Sequence, residues 1–146
     1  MLLGYRKAGK SSSGNTILGR KKFDLKRTAQ CVKRQGEVAG RQVTVVQAPG
    51  WWGNVNLKDT PELTKQEILL SVSLCPPGPH AVLLVIDVDS SITEDERGIL
   101  QEHLEFLSES VWSHSMVLFT YGDWTGWKAP GWWSDEGTGI GHKNMP

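Results

Sequence analysis

An α/β fold with three layers and a mostly parallel sheet is what this sequence predicts, on three observations. Apolar runs of strand length alternate with stretches of helix length along the chain. One run, Ala81 to Ile86, is continuously apolar, as a parallel strand buried on both faces must be. A glycine-rich loop, Gly4 to Ser11, lies between an apolar stub and a helical stretch.

Taken in order, Met1 to Leu3 reads as a short buried strand ending at Gly4, and Lys10 to Leu18 as a helix opening on the loop. Arg41 to Gln47 carries Val43, Val45 and Val46, and Cys31 to Val38 can pair with it across Ala39-Gly40. Thr60-Pro61 reads as a helix start, with a capping hydroxyl and a proline at the first helical position. That helix runs to about Ser73 and stops before Pro76-Pro77-Gly78-Pro79. Thr93 and Glu96 make a capping box, ahead of a helix with Ile99, Leu100, His103, Leu104 and Leu107 on one face. Met116 to Phe119 is a further short buried strand. Beyond Trp124 the pattern ends: Thr125 to Pro146 holds five glycines and three tryptophans, with Ile140 its one residue among Leu, Ile, Val and Phe. We expect one domain over residues 1–124 and an irregular, unstructured tail over 125–146. A binding segment using Trp127, Trp132 and Trp133 is the alternative for the tail.

With 146 residues the chain has room for one domain, and 38% hydrophobic with 22% charged residues suits a globular protein rather than a disordered one. No apolar run reaches the ~20 residues of a membrane span. No secretory pattern opens the chain, so the expected location is cytoplasmic. Cys31 and Cys75 have neither a close partner nor metal-ligand spacing, and read as free thiols in or near the core. The net charge of +0 conceals a basic first third: eleven of the 16 Lys and Arg fall between Arg6 and Arg41, against two acids, Asp24 and Glu37. Such a region expects an anionic ligand. Nucleic acid is the weaker reading, because the bases are not interleaved with aromatics.

Gly4-Tyr5-Arg6-Lys7-Ala8-Gly9-Lys10-Ser11 fits the phosphate-loop pattern G-x-x-x-x-G-K-[ST] at every fixed position. Glycine lets the backbone fold round phosphate oxygens and present several N–H donors. The next helix, through Ser12, adds the positive end of its dipole. Lys10 would reach the β- and γ-phosphates, and the Ser11 hydroxyl would ligate Mg²⁺.

The loop by itself does not choose between ATP and GTP. The longer run Gly9-Lys10-Ser11-Ser12-Ser13-Gly14-Asn15-Thr16-Ile17-Leu18-Gly19 resembles the start of the GIMAP family, the immunity-associated nucleotide-binding GTPases. Further matches come in order: Thr28 ahead of Cys31, Val45-Val46 leading to Pro49-Gly50, Pro77 to His80, and Val117 to Thr120 with Asp123 beyond. The resemblance covers roughly Met1 to Trp124. It implies a GTPase-type P-loop fold, GTP or GDP as ligand with Mg²⁺ as cofactor, and a dimer with a like GTPase as partner. Thr28 resembles the threonine that closes on Mg²⁺ and the γ-phosphate, and Gly50 a γ-phosphate N–H donor. Thr120 to Asp123 resembles the motif that reads guanine, whose N1–H and N2–H a carboxylate accepts together.

Three departures bear on activity. Gln47-Ala48-Pro49-Gly50 stands where the family has D-T-P-G, so the position that holds Mg²⁺ through water has lost its charge. Such a loss typically costs ~10–100-fold in metal affinity or activity. Trp51 and Trp52 come after Gly50, near where a Ras-like enzyme places a water-orienting glutamine. Ser91 occupies the place of an arginine that compensates in some relatives. Against the family the fold is expected to be truncated at both ends. The leading expectation is a GTP-binding protein with weak or absent hydrolysis and no assigned catalytic residue. A slow, dimerisation-dependent GTPase enzyme and a non-binding interaction fragment are the alternatives.

Overall fold

The structure, a computed structural model, describes residues 1–26, 28–89 and 92–121. The expected tail and Asp123 lie outside the described residues, as does Ser91.

Five strands form one sheet: β1 (Leu2–Gly4), β2 (Val32–Val38), β3 (Arg41–Gln47), β4 (Val82–Asp87) and β5 (Ser115–Thr120), in the order β2-β3-β1-β4-β5. Three helices connect them: α1 (Lys10–Leu18), α2 (Glu62–Ser73) and α3 (Glu94–Glu105). β1, β3, β4 and β5 run parallel, and β2 pairs antiparallel with β3 from Val32↔Gln47 to Val38↔Arg41. The mostly parallel α/β sheet read from the sequence is therefore present.

Strand order moves one way from β1 to β3 and the other way from β3 to β4 and β5. Right-handed crossovers then place α1 on one face and the later helices on the other. Leu2 of the first strand and Met1 just before it bear this out. A Cβ on Gly14 of α1 would lie 3.2 Å from Leu2, whereas the Ser71 hydroxyl of α2 points at the Met1 sulfur, 3.6 Å away. Consecutive residues of a strand face opposite sides, so α1 and α2 flank the sheet as its outer layers. The core runs through both interfaces, with Leu2, Leu18, Phe23 and Val45 among its residues, and Leu3, Ile68, Leu84, Leu100 and Leu104.

The Gly14-Asn15 pair of the family-like run serves this packing. A side chain at Gly14 would come within 2.7 Å of the Phe23 ring, so only glycine lets that ring settle on α1. Asn15 then holds the turn that delivers Phe23: its Oδ1 accepts from the Lys22 and Phe23 N–H groups at 2.8 and 2.6 Å, and its Nδ2 donates to the Phe23 carbonyl.

Thr93 and Glu96 form the expected reciprocal capping box at α3. At α2 the expectation is corrected: Pro61, not Thr60, is the N-cap, and no side chain caps it. Thr60 instead ends a short 3-10 turn, Leu57–Asp59, and its side chain is buried against α3. A second 3-10 turn, Glu109–His114, leads into β5. Both cysteines are free and half-buried. Among the described residues no helix is long and apolar enough to cross a membrane.

Candidate functional site

The loop between β1 and α1 closes round its own lysine. Lys10 is buried, and its ammonium donates to the carbonyls of Gly4 at 3.1 Å and Tyr5 at 2.6 Å. Burial pushes that ammonium down to about 8. Lys7 (φ 65°) and Gly9 (φ 95°) both take left-handed backbone, which turns the chain tightly into α1. Gly9 caps α1 without any side-chain hydrogen bond. The first-turn amides of Lys10, Ser11 and Ser12 therefore have no side-chain acceptor at the positive end of the helix.

Tyr5 and Ala8 turn inward, so only their backbone can serve a ligand of the loop. The Tyr5 hydroxyl donates to the Glu96 carbonyl at 3.0 Å, and Ala8 is buried. Burial, with the Glu96 carboxylate second, pushes the Tyr5 phenol up. Thr120 lies under the loop: its hydroxyl donates to the Ala8 carbonyl at 2.7 Å and faces the Ile86 carbonyl at 3.2 Å. It thus ties the end of β5 to the phosphate loop.

A cavity of about 500 Å³ opens on this loop. Arg6, Lys7, Gly9, Lys10, Ser11 and Ser12 line it from the loop, and Thr28, Gln47 and Gly50 from across it. These expected site residues are brought together. Trp52, noted above after Gly50, completes the wall with Leu25, Lys26 and Tyr121, which no sequence motif marks as site residues. Lys26 belongs to the basic first third, the one signal that points to it. Four cations line the cavity and, among the described residues, no carboxylate does.

Gly50 sits hard against the loop. A Cβ there would come within 2.7 Å of both the Arg6 amide nitrogen and the Lys10 Nζ. The Arg6 amide donates to the Trp51 carbonyl at 2.9 Å, Arg6 Nε donates to the Gly50 carbonyl at 3.2 Å, and the guanidinium lies 4.6 Å from the centre of the Trp52 ring. Trp51 itself is buried, its indole stacked on His103 with centroids 4.3 Å apart and planes 4° from parallel. Its ring also meets the Tyr5 ring edge-on at 5.7 Å. Ser11 Oγ donates to Gln47 Oε1 at 3.0 Å, while the Thr28 hydroxyl donates to the Gln30 carbonyl and accepts from its amide.

A phosphate-type loop, the β2-β3-β1-β4-β5 sheet and the Pro49-Gly50 crossing can be set beside known proteins. The AIG1 family model matches residues 1–130. This chain belongs to the AIG1 family. The match continues past the domain boundary expected at Trp124. Among curated relatives, immune-associated nucleotide-binding protein 7 of Arabidopsis thaliana is 31% identical over 129 residues, 84% of this chain and 40% of the relative. Immune-associated nucleotide-binding protein 12 of the same plant is 33% identical, across 84% of this chain and 32% of its own length. GTPase IMAP family member 8 of Mus musculus is 34% identical over 125 residues, 82% of this chain and 18% of the relative. The resemblance carried by Gly14 to Gly19 is thereby borne out. The AIG1 chain spans 40% or less of these relatives.

Among solved structures, Toc33 from Arabidopsis thaliana in complex with GDP and Mg²⁺ superposes with a TM-score of 0.67 at 15% identity, covering 83% of this chain and 49% of that one. A dimerization-deficient mutant of Toc33 gives 0.65 at 14% identity, covering 88% and 52%. At such identities the likeness carries the fold. This AIG1 domain accordingly has a P-loop GTPase-type α/β fold.

Proposed function

We propose that this chain holds the phosphates of GTP or GDP in the Gly4–Ser12 loop and hydrolyses GTP weakly or not at all. The observation that carries the reading is the buried Lys10 ammonium at the head of α1, facing a cavity walled by cations. In binding, the first-turn amides and Lys10 take the phosphate oxygens, and Lys10 exchanges its carbonyl partners for them. Guanine is the base because Asp123 comes after Thr120 at the family's spacing, and an aspartate there accepts from both guanine N–H groups.

Weak hydrolysis rests on the two tryptophans after Gly50. Trp51 is committed to the His103 stack and Trp52 to Arg6, and an indole offers no acceptor to orient an attacking water. The Mg²⁺ ion that the family leads one to expect meets an ill-suited donor set. Ser11 and Gln47 offer neutral oxygens only, Thr28 is held in its own turn, and no described carboxylate lines the cavity. Mg²⁺ at phosphate sites is usually held by one or two carboxylates together with the phosphates, so these residues do not fit the ion.

Titration of the full chain with a fluorescent GTP analogue, with ATP or GTP as competitor, tests the reading. GTP should displace the probe and ATP should not; equal displacement would remove the guanine assignment. A second reading, a slow GTPase that works as a dimer, is favoured by a solved neighbour for which dimerization is described as important for the GTPase activity. Phosphate release that rises steeply with protein concentration would establish that reading in place of weak hydrolysis.

A further inference from the structure

We infer that this site binds guanine nucleotide without a divalent metal, the protein's own cations neutralising the phosphates in its place; the inference rests on the nucleotide-binding reading above. Where the family carries an aspartate, Gln47 presents an amide oxygen, and that oxygen accepts the Ser11 hydroxyl at 3.0 Å. The two side chains that would face an ion therefore offer it neutral lone pairs only. They contribute no negative charge, and among the described residues no other side chain of the cavity wall supplies any.

The same wall carries a surplus of positive charge. Lys10 belongs to any loop of this kind, but Arg6, Lys7 and Lys26 are additional. Arg6 and Lys26 alone bring as much positive charge as one divalent ion. Arg6 is also held in place, its Nε on the Gly50 carbonyl and its guanidinium against Trp52, so little ordering remains when an anion arrives. Lys26 lines the same cavity, as does Thr28. A dication entering this wall would meet four cations and neutral donors only. The nucleotide's own phosphates would be its one attraction, and for these the cations compete.

The experiment uses the full chain stripped of nucleotide. It measures the Kd of a fluorescent GDP analogue in magnesium chloride and in excess EDTA, for the natural sequence, Gln47→Asp and Lys26→Ala. For the natural sequence the two Kd values should agree within ~3-fold, against the ~10-fold or larger difference that a metal-dependent site gives. Gln47→Asp should weaken binding in EDTA and recover it in magnesium, so that metal dependence appears. Lys26→Ala, a change on an exposed loop, should weaken binding about equally in both buffers. A tenfold or greater loss of natural-sequence affinity in EDTA overturns the inference while leaving nucleotide binding intact. No binding in either buffer overturns the nucleotide reading and the inference with it.

Discussion

Lys10 is buried with its charge, and the energetic sign of that arrangement makes a measurable prediction. Its folded value of about 8 lies below the ordinary 10.5, so the fold favours the neutral amine. Its contribution to stability is present above pH 10.5 and lost as pH falls through 8; at neutral pH the buried ammonium is a cost. A bound phosphate reverses this by favouring the charged form. Nucleotide affinity should therefore be flat below pH 8 and decline toward tenfold per pH unit above it, as read by titrations between about pH 6.5 and 9.5. An affinity that is unchanged across pH 8 would mean that Lys10 does not meet the phosphates. The loop around Lys10 is legible in the sequence because its conformation and chemistry fix glycine, lysine and serine at set positions. Leu25 and Tyr121 reach the same cavity through tertiary folding, and nothing local marks them.

At the scale of elements, Trp51 couples the segment after β3 to α3. The indole fills the space between Tyr5 and His103, and His103 is fully buried with Nδ1 2.8 Å from the Ile99 carbonyl and Nε2 3.0 Å from the Thr60 hydroxyl. A neutral ring with its proton on Nδ1 donates to the Ile99 carbonyl, while the Thr60 hydroxyl near Nε2 has one proton to share with the Asn56 carbonyl, also 3.0 Å away. Burial holds the His103 value below 6.5, outweighing its bond to Ile99 and the nearby Glu102. His103 thus adds stability above pH 6.5 that is lost as pH falls through its lowered folded value. His103→Phe should keep the stack and remove that part of the acid destabilisation, although at neutral pH it loses the hydrogen bond to Ile99, worth ~1 kcal/mol. Chemical denaturation of both proteins from about pH 7.5 to 4.5 measures the difference; parallel profiles would contradict it. Trp51→Ala should cost about 3–5 kcal/mol and loosen the contact between Gly50 and the loop, so that nucleotide affinity falls with stability.

These elements also mark how far local sequence reaches. The bounds of α1, β3 and the capped start of α3 are set by local rules, namely a glycine on either side, β-branched residues and a reciprocal cap. Trp51 stands in the sequence where a residue facing the reaction is expected. Its partner His103 lies 52 positions on in the chain, and only the packing of α3 brings the rings together. The Thr60 hydroxyl misleads for the same reason. Its local sequence permits a helix cap, but the hydroxyl turns to the Asn56 carbonyl and to His103 instead.

For the whole molecule, a three-residue β1 lies at the centre of the sheet, between β3 and β4, and the phosphate loop leaves directly from it. Ligand at the loop therefore clamps the central strand, α1 and the Gly50 segment together. Guanine nucleotide should stabilise the fold by about 2.7 kcal/mol at a hundred times its Kd, read as a rise in Tm with GDP and, by the donor set at Gln47, the same rise in EDTA. A mostly parallel sheet between layers of helices is legible from the alternation of elements and from family likeness. Base recognition rests on Asp123 and on sequence alone.

Calorimetric titration of GDP into the natural chain and into Lys10→Ala, each checked for folding by circular dichroism, tests nucleotide binding at the loop most directly. Saturable one-site binding is predicted for the natural chain, with a loss of ~30-fold or more in affinity for Lys10→Ala. Equal affinities in two folded proteins would contradict it, because the nucleotide would then not lie in the Gly4–Ser12 loop.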